Sequence, residues 1–250
     1  MTLFALCNLA NFNPRLQKNR MKYRSCLLAI LLAVMGLATA TRAFSQEPAA
    51  DKEQAYTRTI NERAAKIVAS LVLSGNDKSE RLTKLVAGQY RALNDIHTSR
   101  NNQIKTLTTS GAPKETVDAQ AKQLESEADT KLDALHASYL SALSAELSPA
   151  QVDQIKDGMT YGVLNVTYKG YLDMLPNLTD KQKEQIMTWL AEAREHAMDA
   201  ESSEKKHAWF GKYKGRINNY LSAAGYDLKK EGEEWEKRRN AAKQTKINSH

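Results

Sequence analysis

The segment from residue 205 to residue 226 combines basic and aromatic side chains and contains no acidic residue. Its cations are Lys205, Lys206, Lys212, Lys214 and Arg216, and its rings include His207, Trp209, Phe210, Tyr213 and Tyr220. Flat aromatic faces suit sugar rings, while lysine and arginine suit carboxylates, sulfates and phosphates. The segment therefore predicts a surface that binds an anionic ligand, such as an acidic oligosaccharide.

The tripeptide Tyr-Lys-Gly occurs at 168–170 and again at 213–215, each time before an apolar helical turn. Glycine permits a positive φ or a close backbone approach, and two such turns facing each other would form an anion-binding cleft with aromatic walls. The alternative is that the tyrosines lie in the core and the lysines extend to water. The proposed ligand-binding residues are Tyr168, Lys169, Tyr171, Trp209, Phe210, Lys212, Tyr213, Lys214 and Arg216.

Three side chains, His196, His207 and Tyr213, are candidates for catalysis. His196 lies one helical turn from both Glu192 and Asp199, which suits a general base or half of a metal site. The alternative is a salt-bridge cluster on a helix surface, because the histidine spacing matches no strong metal signature. β-Elimination on a uronate needs a base and a cation, and these residue types are present, but no recognised catalytic motif is. The sequence leaves catalysis open and indicates no metal and no cofactor.

The elements that carry these residues are predicted to be helices. Apolar residues recur every three or four positions over 60–71, 82–107, 117–142 and 186–197, and no stretch alternates as a strand does. The turn SGAP at 110–113 should join two long helices into an antiparallel hairpin. We interpret His97 and His136, which lie on this hairpin without identifiable partners, as structural.

Short capping motifs predict where the later helices begin and end. Leu147–Gln151 and Leu178–Gln182 both read L-[ST]-x-x-Q, which is a helix-capping box that contributes about 1 kcal/mol. A weaker third capping motif lies at Leu73–Ser74. Residues 216–224 are predicted as a short helix that Gly225 ends.

The predicted fold is all-α and bundle-like, with a single helical domain over residues 55–228. A long helical hairpin makes its first half, 55–147, and an aromatic and basic half follows over 148–228. The division follows the aromatic residues, because three lie in 56–160 and ten lie in 161–235. Residues 229–250 should form a charged helix or a tail.

The beginning of the chain is typical of a secretory signal peptide over residues 1–43, with Met21 as an alternative start. Its apolar run, 26–38, is short for a membrane span, and an uncleaved anchor is the alternative. A flexible leader should follow over 44–54. We therefore expect an exported protein, periplasmic or extracellular, whose mature form lacks both cysteines and has no membrane span.

The charge balance changes once the presequence is set aside. Six of the 36 basic residues lie in 1–45, which hold no acid, so 30 basic residues face 29 acidic ones in the remainder. Basicity of the whole chain is therefore no argument for nucleic acid, and we expect no nucleic-acid partner. The oligomeric state stays open.

Two resemblances add to this reading. The segments ERAAKIVASLVLS…ERLTKLVAGQYRALNDIH (62–97), KDGMTYGVLNVTYKGYLDMLPNLT (156–179) and EAREHAMDAESSEKKHAWFGKYKGRINNYLSAAGYDL (192–228) resemble a secreted family catalogued as a domain of unknown function. That family is similar to proteins encoded beside polysaccharide-degrading enzymes in Gram-negative bacteria, which implies secretion and a glycan-related context. The two L-[ST]-x-x-Q marks resemble the LTxxQ motif of Spy/CpxP-type periplasmic chaperones.

These observations support three hypotheses. The first is a secreted helical protein that binds an anionic ligand in its aromatic half. The second is a lyase or hydrolase acting on the same ligand class. The third is a periplasmic chaperone or adaptor, which should present an apolar concave surface on the hairpin half.

Overall fold

The computed structural model describes residues 49–73 and 75–248, and the side chains of 51–73 and 75–244. Three predicted features lie outside the described residues. They are the signal peptide, the alternative start at Met21 and Ser74 of the third capping motif. The chain divides into one unit of residues 1–54 and a second of residues 55–250, and the contacts below belong to the second.

The described residues form eight helices and no strand, which confirms the all-α prediction. The helices are α1 (Ala49–Ala69), α2 (Asn76–Thr108), α3 (Lys114–Glu146), α4 (Pro149–Met159), α5 (Val163–Met174), α6 (Asp180–Met198), α7 (Ser203–Ala223) and α8 (Leu228–Asn248). The first helix begins at Ala49, inside the stretch predicted as a leader. Within the part of the chain that the structure describes, no helix is both long enough and apolar enough to span a membrane.

The hairpin of α2 and α3 is confirmed. It turns at Gly111, whose φ of 75° lies in the left-handed region that glycine tolerates, and Pro113 immediately precedes α3. Its open end packs with α1 and α4 around a core that includes Leu82, Val86, Leu143, Ile155 and Met159. The hairpin therefore has a hydrophobic core of its own, formed with its two neighbouring helices.

A second core lies among α5, α6 and α7 and is centred on Ile186, Leu190, Phe210, Ile217 and Leu221. It contains the rings that the sequence concentrates in the second half of the chain. Residues 228–248, predicted as a charged helix or a tail, are helical. Arg238 of this helix donates to the carbonyl oxygens of Asp173 and Met174 at the end of α5, each at 3.1 Å.

Both predicted capping boxes are present. Ser148 and Gln151 cap α4 reciprocally, and Thr179 and Gln182 cap α6 in the same way. The prediction of a separate helix over 216–224 is wrong, because this stretch is the end of the 21-residue helix α7. Its glycines do not break α7, since an interior glycine costs only about 1 kcal/mol and the helix is held by its buried face. Gly225, with φ of 94°, follows the end of α7 as predicted.

Candidate functional site

Helix α7 divides the predicted ligand-binding residues between its faces. Phe210 and Tyr213 belong to the face that packs into the second core, so their rings are buried. Tyr171 of α5 is buried as well, and its hydroxyl donates to Asn218 Oδ1 at 2.7 Å. For these three rings the alternative interpretation, that they form the core, is the one that the structure supports.

The predicted cleft between two Tyr-Lys-Gly turns does not form, because both tripeptides lie inside helices. Gly170 and Gly215 have no positive φ, and no atom approaches the position of a Cβ at either residue within 4 Å. Lys169 is paired with Asp173 at 3.0 Å on the surface of α5. Tyr168 is half-buried and lines a shallow groove against α6.

Three of the remaining predicted residues, Trp209, Lys212 and Arg216, lie on one face of α7, where Arg216 contacts Trp189 of α6 and Trp189 contacts Tyr220. We call these five residues the basic–aromatic row. Lys212 Nζ lies 4.8 Å from the ring centre of Trp209, and the guanidinium of Arg216 lies 4.4 Å from that of Trp189. Trp189 and Tyr220 meet edge to face at 5.3 Å. Such cation–aromatic and edge-to-face contacts are each favourable by about 0.5–1 kcal/mol at exposed sites.

Helical geometry explains why these side chains align. Lys205, Trp209, Lys212 and Arg216 are spaced by four, three and four residues, and this spacing places them on one face of α7. Lys214 lies two residues from both Lys212 and Arg216, so it projects from the opposite side. Lys214 is therefore not part of the row, although the sequence suggested it.

The cations of the row are only partly neutralised. Arg216 pairs with Glu192 at 3.3 Å, and both side chains are substantially exposed. Lys212 has no carboxylate partner among the described residues. The row is thus an exposed cationic surface backed by two indole rings.

Of the three candidates for catalysis, His196 and Tyr213 lie near each other, with ring centres 6.2 Å apart, whereas His207 lies against Tyr161. His196 stacks on Trp209 with ring centres 4.4 Å apart, and it forms no ion pair with the described part of the chain. The ring of His207 lies 5.7 Å from that of Tyr161. Tyr213 is in the core, and burial raises the pKa of its hydroxyl. No nucleophile–base pair results from these positions.

Asp199, the carboxylate expected beside His196, is held by His136 of α3 instead. His136 Nδ1 lies 2.7 Å from Asp199 Oδ2, and its Nε2 lies 3.4 Å from Glu195 Oε2. Hydrogen bonding to Asp199 and then to Glu195 raises the pKa of His136 to about 9, so the ring is an imidazolium at neutral pH. Burial opposes the ionisation of Glu195, but hydrogen bonds from His136 and Lys156 lower its pKa to about 2.

Arg194 extends these contacts into an ion network. It donates to Asp157 at 2.8 Å and to Asp153 at 2.6 Å, and its side chain is only 9% exposed. Lys156, which lies on α4 with Asp153 and Asp157, pairs with Glu195 at 2.9 Å. We call this set the junction network, because it joins α3, α4 and α6, and therefore joins the hairpin to the aromatic half.

Lys206 is the one cation of the 205–226 segment that lies in the interior. Its side chain is buried, and Nζ donates to the carbonyl oxygens of Ala197 at 2.9 Å and Met198 at 2.8 Å. These carbonyls end α6, where a helix attracts positive charge. Burial lowers the pKa of Lys206 to about 8. Lys206 therefore links α7 to the end of α6 and is not accessible to a ligand.

An open cleft of about 660 Å³ lies where the hairpin meets the loop between α6 and α7, and we call it the junction cleft. Its lining includes His97 and Arg100 from α2, Asp129 and Asp133 from α3, and Trp209 from α7. His97, interpreted from the sequence as having no partner, places Nε2 2.7 Å from the carbonyl oxygen of Asp199. No group of three or more His, Cys, Asp or Glu side chains in the described part of the chain is arranged to hold a metal ion.

The fold and these surfaces define an all-helical protein with an exposed cation–aromatic surface beside a polar cleft. Residues 57–241 match the family model described as "Protein of unknown function (DUF3826)", and the chain belongs to that family. A comparison with curated proteins found no match.

Proposed function

We propose that the protein binds an anionic ligand of the acidic oligosaccharide class along the basic–aromatic row. The observation that carries the proposal is the position of Lys212 and Arg216 over Trp209 and Trp189. Each cation is held beside a flat ring. The carboxylate of one ligand unit can therefore bind the cation while the sugar ring of that unit packs against the indole. Because the bulk of each indole is already packed, little side-chain entropy is lost on binding.

The length of the row favours an oligomer over a single sugar ring. Trp209 and Tyr220, which end the row on α7, are eleven residues apart, and at 1.5 Å per residue the row is about 16 Å long. A ligand with regularly spaced carboxylates can contact both Lys212 and Arg216 at once. The resemblance to proteins encoded beside polysaccharide-degrading enzymes is consistent with this ligand class.

The proposal is tested by isothermal titration calorimetry with tetragalacturonate and, as the neutral probe of equal length, cellotetraose. Tetragalacturonate should bind, and the neutral probe should bind at least tenfold more weakly. The double variant Lys212→Ala, Arg216→Ala should lose at least tenfold in affinity for the acidic probe. Lys214→Ala is the matched control, because it removes a lysine of the same helix from the opposite face.

Two results would contradict the proposal. One is equal binding of the two probes, which would show that charge is not recognised. The other is an equal loss in Lys214→Ala and in the double variant, which would show non-specific attraction to a basic helix. Thermal unfolding supplies a second readout, because ligand at a hundred times Kd stabilises the folded state by about 2.7 kcal/mol.

The two alternatives receive less support from the geometry. A lyase or hydrolase would need His207 to join His196 and Tyr213, whose rings lie 6.2 Å apart, but His207 lies against Tyr161 and the ring of Tyr213 is buried. A chaperone would need an apolar concave surface on the hairpin half. Among the described side chains, the large exposed apolar residues are Val72, Tyr161 and Val166, and only Val72 belongs to that half.

We also infer that the protein is exported, with residues 1–43 removed and 55–228 acting as a single domain. The basic start, the short apolar run and the small residues after it motivate this inference. Mass spectrometry of the protein from the periplasm and the medium tests it. A mature form beginning near residue 44 is expected, and a product that retains residues 21–40 would contradict the inference.

A further inference from the structure

The junction cleft lies beside the basic–aromatic row but has the opposite charge. Its lining holds five carboxylates and two permanent cations, Arg100 and Lys205. The carboxylates are Glu125, Asp129, Asp133, Asp199 and Glu201. The cleft therefore attracts cations, whereas the row attracts anions.

Some of these carboxylates are already satisfied. Asp199 Oδ2 is bound to His136, and Glu201 is bound to Arg100. The three on α3, which are Glu125, Asp129 and Asp133, have no ion-pair partner among the described residues. They recur every four residues, so they lie along one side of α3 and face the same cleft.

A buried acceptor without a donor lies in the lining of the same cleft. The side chain of His97 is 8% exposed. A carbonyl oxygen only accepts, so Nε2 of His97 must donate to Asp199, and in the neutral ring this leaves Nδ1 as an acceptor. Nδ1 has no hydrogen-bond partner in the described part of the chain, and Glu201 Oε2 lies 3.9 Å from it. Asp199 Oδ1 is a second buried acceptor that has no hydrogen-bond partner in the described part of the chain.

Unpartnered buried acceptors are rare and unfavourable, so a donor at this position would stabilise the folded protein. An ammonium group carries three N–H donors and a positive charge. It would match the acceptor atoms of His97 and Asp199 and the free carboxylates of Asp129 and Asp133.

The opposite wall of the cleft is aromatic. Trp209 and His196 are stacked there, with planes inclined by only 15°, and both line the cleft. His196 and Lys212 already lie over the Trp209 ring, so the methylene groups of an organic cation would pack against the edges of the stacked rings. We propose that the junction cleft binds a small organic cation bearing a primary ammonium group, in other words an aliphatic amine.

The first experiment is calorimetric titration of the full mature protein with 1,4-diaminobutane at low ionic strength, where surface charge is least screened. Butane-1,4-diol is the matched uncharged probe of the same length. The diamine should bind and the diol should not. Equal binding of the two probes, or no binding of either, would overturn the proposal.

Matched variants of α3 separate the cleft from general attraction to an acidic helix. Asp129→Asn with Asp133→Asn removes two charges inside the cleft, and Glu115→Gln with Asp118→Asn removes two from α3 outside its lining. The first pair should weaken diamine binding at least tenfold and the second less than twofold. Equal losses in the two pairs would overturn the proposal. All four side chains are exposed, so none of the substitutions disturbs the core.

Nitrogen-15 spectra of histidine-labelled protein test the acceptor directly. The Nδ1 resonance of His97 should shift when the diamine is added, because a lone pair without a partner becomes an acceptor. An unchanged Nδ1 resonance at saturating diamine would contradict the assignment of His97. The single variant Arg216→Ala, which changes a residue that lies over Trp189 and outside the lining of the cleft, should keep its diamine affinity, so failure of the anion site and failure of the amine site are separate results.

Discussion

The junction network and the basic–aromatic row use the same residue types for different purposes. In the network, Arg194 is 9% exposed and pairs with three carboxylates, and His136 lies between one of them, Glu195, and Asp199. In the row, Arg216 is 55% exposed, and Lys212 contacts an aromatic ring and no carboxylate of the described residues. Charges satisfied within the protein hold its helices together, whereas charges left partly free are available to a ligand.

The largest test of this comparison is the pair Arg194→Met and Arg216→Met. Arg194→Met leaves Asp157 without its cation, with only the amide of Asn165 as a donor at a largely buried position, so the free energy of unfolding should fall by about 3 kcal/mol. Arg216→Met removes an exposed pair and should change it by less than about 1 kcal/mol. Urea unfolding with an unchanged m-value measures both. Similar losses in the two variants would show that the row is also structural.

The second test is the pH dependence of stability. The pKa of His136 is raised to about 9 in the folded protein. This pKa lies above the ordinary value of about 6.5. The stabilising contribution of His136 to the free energy of unfolding is therefore complete below pH 6.5 and is lost as pH rises through 9. The loss should be about 2–3 kcal/mol. Lys206 acts in the opposite sense, because burial lowers its pKa to about 8 and the cost of its charge therefore fades above pH 8.

The control for this pH profile is His136→Gln, which keeps a hydrogen-bond donor without the titrating charge. Chemical unfolding of both proteins between pH 6 and pH 9 should show a decline in the wild type and a flatter profile in the variant. Parallel profiles would show that the decline comes from another group and would remove His136 from the network. The row, whose cations are lysine and arginine, should lose no anion binding over this range.

A smaller effect is expected at Gly215 of α7. The residue is helical, and apart from its chain neighbours and the backbone of its own helix no atom lies within 4 Å of the position of a Cβ. Gly215→Ala should therefore stabilise the protein by about 0.5–1 kcal/mol through helix propensity. Thermal unfolding checks this. Unchanged affinity for tetragalacturonate in the same variant would agree with a row that contacts its ligand through side chains, and a clear loss would extend the ligand contact to the Gly215 surface.

The smallest change in stability is expected for Lys212→Met. The residue is exposed and has no carboxylate partner among the described residues, so the free energy of unfolding should change by less than about 0.5 kcal/mol. Its affinity for the acidic probe should nevertheless fall several-fold. A stability loss above 1 kcal/mol with unchanged affinity would reverse the roles that we assign to the row and the network.

Local patterns in the sequence determined much of this protein. Apolar residues at helical spacing predicted the hairpin, and the capping boxes at Ser148 and Thr179 predicted where α4 and α6 begin. These features depend on contacts within about four residues, so a single sequence contains the information. The 205–226 segment was recognised as unusual for the same reason, because its composition is visible without a fold.

Only the tertiary structure decided which charges and rings of that segment are exposed. Phe210, Tyr213 and Lys206 are buried because α7 packs one face against α6, whereas Trp209 is only partly buried at the edge of that contact and Lys212 is exposed. The choice of Asp199 as the partner of His136 joins residues that are 63 positions apart. Such long-range pairs depend on how helices pack, and the spacing of residues along the chain does not encode that packing in any local pattern.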